Sequence, residues 1–592
     1  MAQYLAPGVY VEEVSYSAPS IEGVGTTTTG FAGPTLTGPV GGLAYGGSTA
    51  AGAAAAGVPQ LLTSFGDFQN IYGGYQSLTL SAGTPTTNYM AMAVKAFFDN
   101  GGSTLYVSRV YAAGTTTTGF ASSPTGATVP ITVAGRFPGA FLNGKVVTVA
   151  LVASKTQNVS SLPSGSLLGV PGTGGGAPTL YTNGTTGTFM SNATSPVALP
   201  TTLPTNLYLL TLQVTAPGAN GQLMAYNNIG FDPAGSNYLG AVLGLTPPRP
   251  IDAVQNQVWF SLASSVGTAV PLFSALFSSW TDPASGTTAP TTFTLTGGAD
   301  GVEPQPADYD TALSYLQPLE DIAIVATPGA STFSQGSAIM STSLIEHVSA
   351  QRAYRIAILE TAPSQLASGF ETARAQFDSS YAALYVPWVQ TPNPLAVAGT
   401  STPAQILVPP TGAIAGIYAR NDVQNSVAKA PANEVVLGAV DFERHISFAE
   451  QTILNPMGIN CLRFFPDRGY LVWGARTVSS DTSLMYVNVR RYLIYLEHSI
   501  DNGTQWAVFE NNGPALWARV TDSIDSFLNN EFASGNLQGS SPSQSFFVRC
   551  DRTTMTQNDL DNGRLICQIG VALLKPAEFV VFRIGQKTAS AG

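Results

Sequence analysis

The sequence predicts a multidomain chain of α/β and α+β class. It reads as a discontinuous α/β core with an inserted β-rich domain and an extended β-strand arm at each end. Three observations predict this. Strand and helix patterns alternate after Gly297. A charge-poor, Thr- and Gly-rich stretch interrupts the chain between Tyr111 and Thr296. Each terminal segment carries a strand pattern free to add to a neighbour's sheet.

The first fourteen residues, MAQYLAPGVYVEEV, read as a strand without a partner of its own. Pro7-Gly8 opens it, and Gly8, Val9, Tyr10, Val11 and Glu12 form its body, rich in β-branched and aromatic side chains. Residues 15–25 are polar and turn-rich, and read as a hinge. A lone strand is not stable in water. Such an arm is either frayed or completes a sheet in another molecule, and the bland alternative is an ordinary strand docked on its own domain.

A strand is expected over residues 26–31 and a low-complexity loop over 41–56. Residues 89–98 have helical spacing at Met92, Ala96 and Phe97, and the DNGG run at 99–102 stops the helix. Residues 105–110 form the next strand. Between Tyr111 and Thr296 only seven residues are charged: Arg136, Lys145, Lys155, Asp232, Arg249, Asp252 and Asp282. Short alternating runs at 145–149 and 207–214 make this a solvent-exposed β-domain.

After Gly297 the spacing predicts helices over 309–319, 339–351 and 366–377. Between them lie buried strands at 321–326, 355–359 and 381–386, a β-α-β series with a mostly parallel sheet. Further on, residues 482–500 put Met485, Val489, Tyr492, Leu493, Leu496 and Ile500 on one stripe, with Asp481 as cap. A second helix has Pro514 in its first turn and Leu516, Val520, Ile524, Phe527 and Leu528 inward. Residues 564–574 and 578–584 read as a final hairpin, and Phe579, Val580, Val581, Phe582 and Arg583 form its last strand.

Composition excludes several functions. Charged residues make up 10% of the chain, against a typical ~25%. The net charge of −11 argues against a nucleic-acid partner, which a basic face would attract. Three cysteines, Cys461, Cys550 and Cys567, cannot all pair, which fits synthesis in a reducing compartment. Cys550 and Cys567 are placed to face each other on adjacent strands, but unpaired core thiols are the expectation. The N-terminus has neither a basic n-region nor an apolar h-region. The 41–57 stretch is too weakly apolar to span a bilayer.

Catalytic chemistry has little foothold. The TPGAS run at 327–331 follows a strand but lacks the GK[ST] ending of a phosphate loop, and GGADG at 297–301 has no G-x-G-x-x-G frame, so both read as turns. His347, His445 and His498 have no second His or Cys at ligand spacing, and His347 and His445 are expected in solvated settings. Asp559 to Gly563 lacks the acidic fifth position of a calcium loop. No catalytic residue, cofactor or metal is expected. Trp473, Trp506 and Trp517 read as a packed core.

The chain resembles the contractile tail sheath family of phage tails and related contractile injection systems. The arm YLAPGVYVEE at 4–13 carries the resemblance at one end. FFDNGG at 97–102 with YVSRV at 106–110, and GGADG at 297–301 with Asp308 and Tyr309, carry it in the middle. The densest block is GINCLR at 458–463, VWGART at 472–477, YVNVRRY at 486–492, TTMTQ at 553–557, DNG at 561–563 and KPAEF at 575–579. PGAFLN at 138–143 departs from the family's motif, which has Trp and Gly at the positions of Phe141 and Leu142.

The resemblance implies a division into five parts. Residues 1–25 would be a linker arm, 26–110 the first segment of a sheath core, and 111–296 an outer inserted domain. Residues 297–455 would be the second core segment, and 456–592 a tube-facing C-terminal domain with its own linker arm. It implies stacked hexameric rings around an inner tube protein, with baseplate and tail-terminator proteins as further partners and neither nucleic acid nor membrane insertion. Terminal arms would add strands to a neighbour's C-terminal sheet, so that a metastable extended form contracts and drives the tube through a target envelope. The location implied is a virion tail or injection particle assembled in a bacterial cytoplasm. In the 514–530 helix, Arg519, Asp522 and Asp525 are the candidate tube contacts. The alternative suggested by the insert, a secreted β-rich adhesin or surface-layer protein, would require an export signal.

Overall fold

Residues 29–33, Thr-Gly-Phe-Ala-Gly, are wholly buried and lie within a nine-stranded sheet. The computed structural model describes residues 20–581 except 45–54, 57–58, 81–84, 115–118, 125–129, 173–176, 184–187, 193–194, 278–279, 281 and 285. The sheet runs Glu434–Val435, Gly469–Val472, Ile459–Phe465, Ala382–Val386, Ile356–Leu359, Ile324–Ala326, Thr29–Gly33, Leu105–Arg109 and Gln60–Leu62. The six strands from Ile459–Phe465 to Leu105–Arg109 are mutually parallel. The strands outside them pair antiparallel. Parallel strands covered on both faces must be apolar throughout, as Ile356–Leu359 and Ala382–Val386 are.

The expected helices form with shifted ends. Tyr89–Asp99 is capped by Asn88, whose side chain accepts from the Ala91 N–H at 3.3 Å. The helix expected over 309–319 instead spans Pro306–Ser314. Pro306 occupies its first turn, and Asp308 accepts from the Gln305 N–H at 2.8 Å. Pro318 ends it early by disfavouring helix just upstream of the ring. The helix expected over 339–351 is split into a wide i→i+5 turn, Ile339–Leu344, and Ile345–Ser349.

One helix pair is held by the absence of side chains. In Thr411–Gln424, a Cβ on Gly412 would stand 2.3 Å from the Ala93 carbonyl oxygen, and one on Gly416 2.4 Å from that of Phe97. These glycines let Thr411–Gln424 press directly on the backbone of Tyr89–Asp99.

His347 is not solvated as expected. Its Nε2 lies 2.8 Å from an Arg355 guanidinium nitrogen, and burial with that cation pushes its pKa down to about 4. Arg355 in turn donates to the Leu319, Gln317 and Ile322 carbonyls. His445 is exposed, 2.9 Å from Asp441. Of Trp473, Trp506 and Trp517, only Trp517 is fully buried, and Trp506 packs half-buried against the same cluster. Trp473 stacks on Phe465 and Arg468, and Trp506 under Arg519.

Glu360 follows the strand Ile356–Leu359 directly and is buried. Ser331 Oγ donates to it at 2.8 Å and Thr411 Oγ1 at 3.0 Å. Burial outweighs these bonds and pushes the carboxyl up to about 7. The folded state therefore holds a proton there that the unfolded state, titrating near 4.5, releases. The contribution is fully present below pH ~4.5 and is lost as pH rises through about 7, by at most on the order of 3 kcal/mol. Glu360→Gln should remove this slope. Unfolding midpoints of both chains at pH 5 and pH 8 will measure it, and an unchanged slope in the variant would refute the assignment. His347, titrating in the opposite sense, cancels in that difference.

The 111–296 region has its own core. Its seven-stranded antiparallel sheet is built on Tyr208–Pro217, which pairs with Val146–Lys155, Leu167–Val170 and Leu223–Ile229. Ile131–Gly135 and Val258–Leu262 make a separate ladder. Strand alternation places Tyr208, Leu210, Leu212 and Val214 inward with Val147, Val149 and Phe231. Arg136 is fully buried and donates to the carbonyls of Asn256, Leu245 and Gly244. The glycine run 297–301, expected as a turn, is an irregular link between the bridges at Thr296 and Val302, tied by Asp300, which accepts from the N–H groups of Thr79 and Ala140 at 2.8 and 2.7 Å.

Two compact units result. One comprises Thr27–Arg420 and Ala432–Ser479, the other Met1–Thr26, Asn421–Pro431 and Ser480–Gly592. Strands Ile459–Phe465 and Gly469–Val472 belong to the large sheet, so the boundary expected at 455/456 falls at 479/480. The second unit packs helices Val487–Gly503 and Pro514–Ala533 around Leu496, Val520, Ile524, Phe527 and Leu528. The expected hairpin of 564–574 with 578–584 does not form among the described residues. Gln568–Val571 pairs instead with Phe546–Arg549, antiparallel. Lys575-Pro576-Ala577 cannot make the tight reversal, since proline supplies no N–H to such a ladder.

Candidate interaction surfaces

The N-terminal arm is rooted in the smaller unit by a strap. Ile21 is 5% exposed and packs in the core of that unit. Gly503 makes room for it, because a Cβ there would meet Ile21 Cγ1 at 2.6 Å. Val24 donates its N–H to Ser499 Oγ at 3.1 Å. Thr26 Oγ1 donates to Asp422 Oδ2 at 2.6 Å. Arg491 binds Asp422 through both oxygens, at 2.8 and 2.6 Å, and donates to the Thr26 carbonyl at 3.0 Å. Both members of this ion pair are 3% exposed.

These contacts step along one helix, Gly503 to Ser499 to Arg491, as the strap runs from residue 21 to 26. Five extended residues reach about 17 Å and twelve helical residues rise about 18 Å, so the two match in length. Of the hinge expected over 15–25, residues 21–25 are instead fixed to the helix, and residues 15–19 lie outside the described residues. The strand residues Gly8, Val9, Tyr10, Val11 and Glu12 lie outside the described residues, as do Phe582 and Arg583.

At the other end, Phe579, Val580 and Val581 are not in a strand and stand 72%, 68% and 78% exposed. Three consecutive exposed apolar side chains make an apolar patch among the described residues. Just before them, Tyr486 donates its hydroxyl to Glu578 at 3.0 Å. The ladder of Phe546–Arg549 and Gln568–Val571 has only two strands among the described residues, and Phe547 on it is 55% exposed. A two-stranded ladder gains from further strands.

The helix Pro514–Ala533 opens with proline at its first position, and Asn512 accepts from Trp517 Nε1 at 2.7 Å. Arg519 and Asp522 are exposed, as expected. Arg519 is not unengaged: it stacks 4.5 Å over the Trp506 ring and lies 3.9 Å from Glu510. Asp525 is half-buried, and burial with the nearby Asp522 charge raises its pKa. Glu531, near the far end, accepts from the hydroxyls of Tyr492 and Tyr495 at 2.7 and 2.9 Å. Burial, reinforced by that carboxylate, raises both phenols.

Sequence reasoning missed the buried charges. Asn488, Arg490 and Arg491 are all buried, though an amphipathic reading puts such residues outward. The available signal was the YVNVRRY run itself, two adjacent arginines on a helix otherwise apolar on one stripe. Among the described residues, no helix is long and apolar enough to cross a membrane, and no group of three His, Cys, Asp or Glu is placed to hold a metal ion.

Comparison with known proteins covers both units. Residues 303–478 match the family model of the phage tail sheath protein central domain, and residues 479–587 that of the phage tail sheath C-terminal domain. A "Putative prophage major tail sheath protein" of Pseudomonas aeruginosa (strain UCBPP-PA14) is 25% identical over 191 residues, 31% of this chain and 47% of the relative. The match thus spans about half the length of that curated relative. The contracted helical sheath of the anti-feeding prophage aligns over 99% of this chain and 100% of its own, at TM-score 0.51 and 19% identity. The contracted sheath complex of an extracellular contractile injection system, PVC, aligns over 99% of both chains at TM-score 0.50 and 18% identity. At these identities the likeness is one of fold.

Proposed function

We propose that this chain, whose residues 303–587 match the central and C-terminal domain models of phage tail sheath proteins, is the structural subunit of a contractile sheath. It polymerises as stacked hexameric rings around an inner tube in a metastable extended state. Contraction then drives the tube through a target envelope. The observation that carries this reading is the pair of family models lying end to end over residues 303–587, the later part of the larger unit and most of the smaller one. The exposed Phe579–Val581 and, in the same unit, a ladder of only two strands among the described residues support a further element, strand addition between subunits. In that mode, main-chain hydrogen bonds join copies and tolerate large rotations of the bodies they link. The free energy released on contraction would lie in the difference between two sets of interfaces, so no bound fuel is required.

The layout follows the same reading. Residues 111–296 form the outward decoration, and the smaller unit faces the tube. Baseplate and terminator proteins bound the stack. Purified protein examined by negative-stain electron microscopy tests the proposal: striated hollow tubes are expected, and monodisperse single chains under all conditions would overturn it.

For the tube contact, Asp522→Lys is the informative change, because Asp522 is exposed whereas Asp525 is half-buried and Arg519 is stacked. Chain stability should shift by less than about 1 kcal/mol. Assembly on tubes should fall while tube-free polymerisation persists, since exposed interface charges set register and encounter more than affinity. Unimpaired tube-templated assembly would exclude this helix as the contact.

A further inference from the structure

The ladder between Phe546–Arg549 and Gln568–Val571 places two cysteines opposite each other one step beyond its last pair. The register runs Phe546 to Val571, Phe547 to Gly570, Val548 to Ile569 and Arg549 to Gln568. The next opposed residues are Cys550 and Cys567. Neither is in a disulfide.

The class of that position follows from the hydrogen-bond alternation. Ala572 donates its N–H to the Ser545 carbonyl at 2.7 Å, which makes 545 and 572 a hydrogen-bonded pair. Alternation then makes 547/570 and 549/568 hydrogen-bonded too. It leaves 550/567 in the class without mutual bonds, where opposed Cα atoms approach to about 4.5 Å and side chains lie closest. A disulfide spans Cα separations of about 4.4–6.8 Å. Cys550 shares the inward face with Phe546, and Cys567 packs against the same core.

We propose that Cys550 and Cys567 are a redox-responsive pair that closes into an intramolecular disulfide when the protein meets a small-molecule disulfide oxidant. The Cys567 thiolate, the more exposed of the two, attacks one sulfur of oxidised glutathione and expels a glutathione thiolate, which takes up the proton Cys567 lost. The Cys550 thiolate then attacks Cys567 Sγ and expels the second glutathione thiolate, which is protonated in turn. Two protein thiols are oxidised and one glutathione disulfide is reduced to two thiols. The clip closes a loop that carries the helix Gln557–Asp561, and it locks the open end of the ladder.

The surroundings set the pace. Burial first, and then the neighbouring thiol and Asp525, push Cys567 up to about 12, and burial raises Cys550. Little thiolate exists at neutral pH, so the pair stays reduced where thiols are buffered and closes slowly elsewhere. The closing rate should rise about tenfold per pH unit, following the thiolate fraction.

The test uses the full chain, with oxidised glutathione as probe. Thiols are counted in denaturant and peptides are mapped without reduction. The expected result is a fall from three thiols to one, with a single Cys550–Cys567 cross-linked peptide and Cys461 still free. Cys461→Ser should give the same cross-link with no thiol left. Cys550→Ser should retain glutathione on Cys567. Three unreacted thiols at pH 9, a stable glutathione adduct on Cys567 in the wild-type chain, or cross-links between chains would each overturn the proposal. The Cys461→Ser chain decides the matter even where Cys550→Ser does not fold.

Discussion

Replacing Asp422 with alanine will destabilise the smaller unit by about 3–5 kcal/mol, because it leaves the Arg491 guanidinium buried without its charge partner. The loss has three parts. The bidentate pair is broken, the Thr26 hydroxyl loses its acceptor, and the strap is released at its inner end. Replacing both Asp422 and Arg491 with leucine should recover most of the stability, since an apolar pair of similar size avoids the uncompensated charge. Denaturant unfolding followed by fluorescence, to which the core Trp517 contributes, measures both variants. A change below 1 kcal/mol for the single variant would mean that the pair is solvated in solution.

The second large effect concerns assembly. Removing residues 1–14 should leave circular dichroism near normal while abolishing sheath formation, because the proposed donor strand is lost and the strap at 21–26 is kept. Removing residues 1–25 should do something different. It takes away Ile21 as well, so the smaller unit loses about 1.5–3 kcal/mol of apolar burial. Sheaths seen by electron microscopy from the shorter deletion would disprove strand addition by this arm. Equal stability of the two deletions would disprove the strap.

Much of the α/β core was legible. Continuous apolar runs located the strands at 356–359 and 382–386, because these segments are buried on both faces, and the strand at 105–109 was legible despite its buried Ser108 and Arg109. Helix ends were less legible. Pro318 and the wide turn at 339–344 depend on local geometry that overrides spacing. The final hairpin was misread because Glu578–Ile584 has strand composition in either setting. Its partner in sequence, 568–571, is already paired with 546–549.

The interaction surfaces were legible in part. Apolar Phe579, Val580 and Val581 announced themselves. The strap did not, since Gly23 and Gly25 signal turns and only Ile21 in that stretch hints at burial. Buried Asp422 and Arg491 lie 69 positions apart, and nothing in the spacing links them. Glu360 is one acidic residue after an apolar strand, a pattern shared with many surface turns.

The strap also decides how the molecule bears load. Among the described residues, a pull from the N-terminal side first meets the body at residue 21, and the strap lies lengthwise on Val487–Gly503. Tension along that direction stresses the Ile21 packing, the Val24–Ser499 bond and the Thr26–Asp422–Arg491 knot together, in shear. Peeling them one at a time would need a pull perpendicular to the helix. Force spectroscopy through residue 1 should therefore resist more strongly when the arm is drawn past Gly503 than when it is lifted away from it, a directional rope-and-cleat behaviour built from six residues.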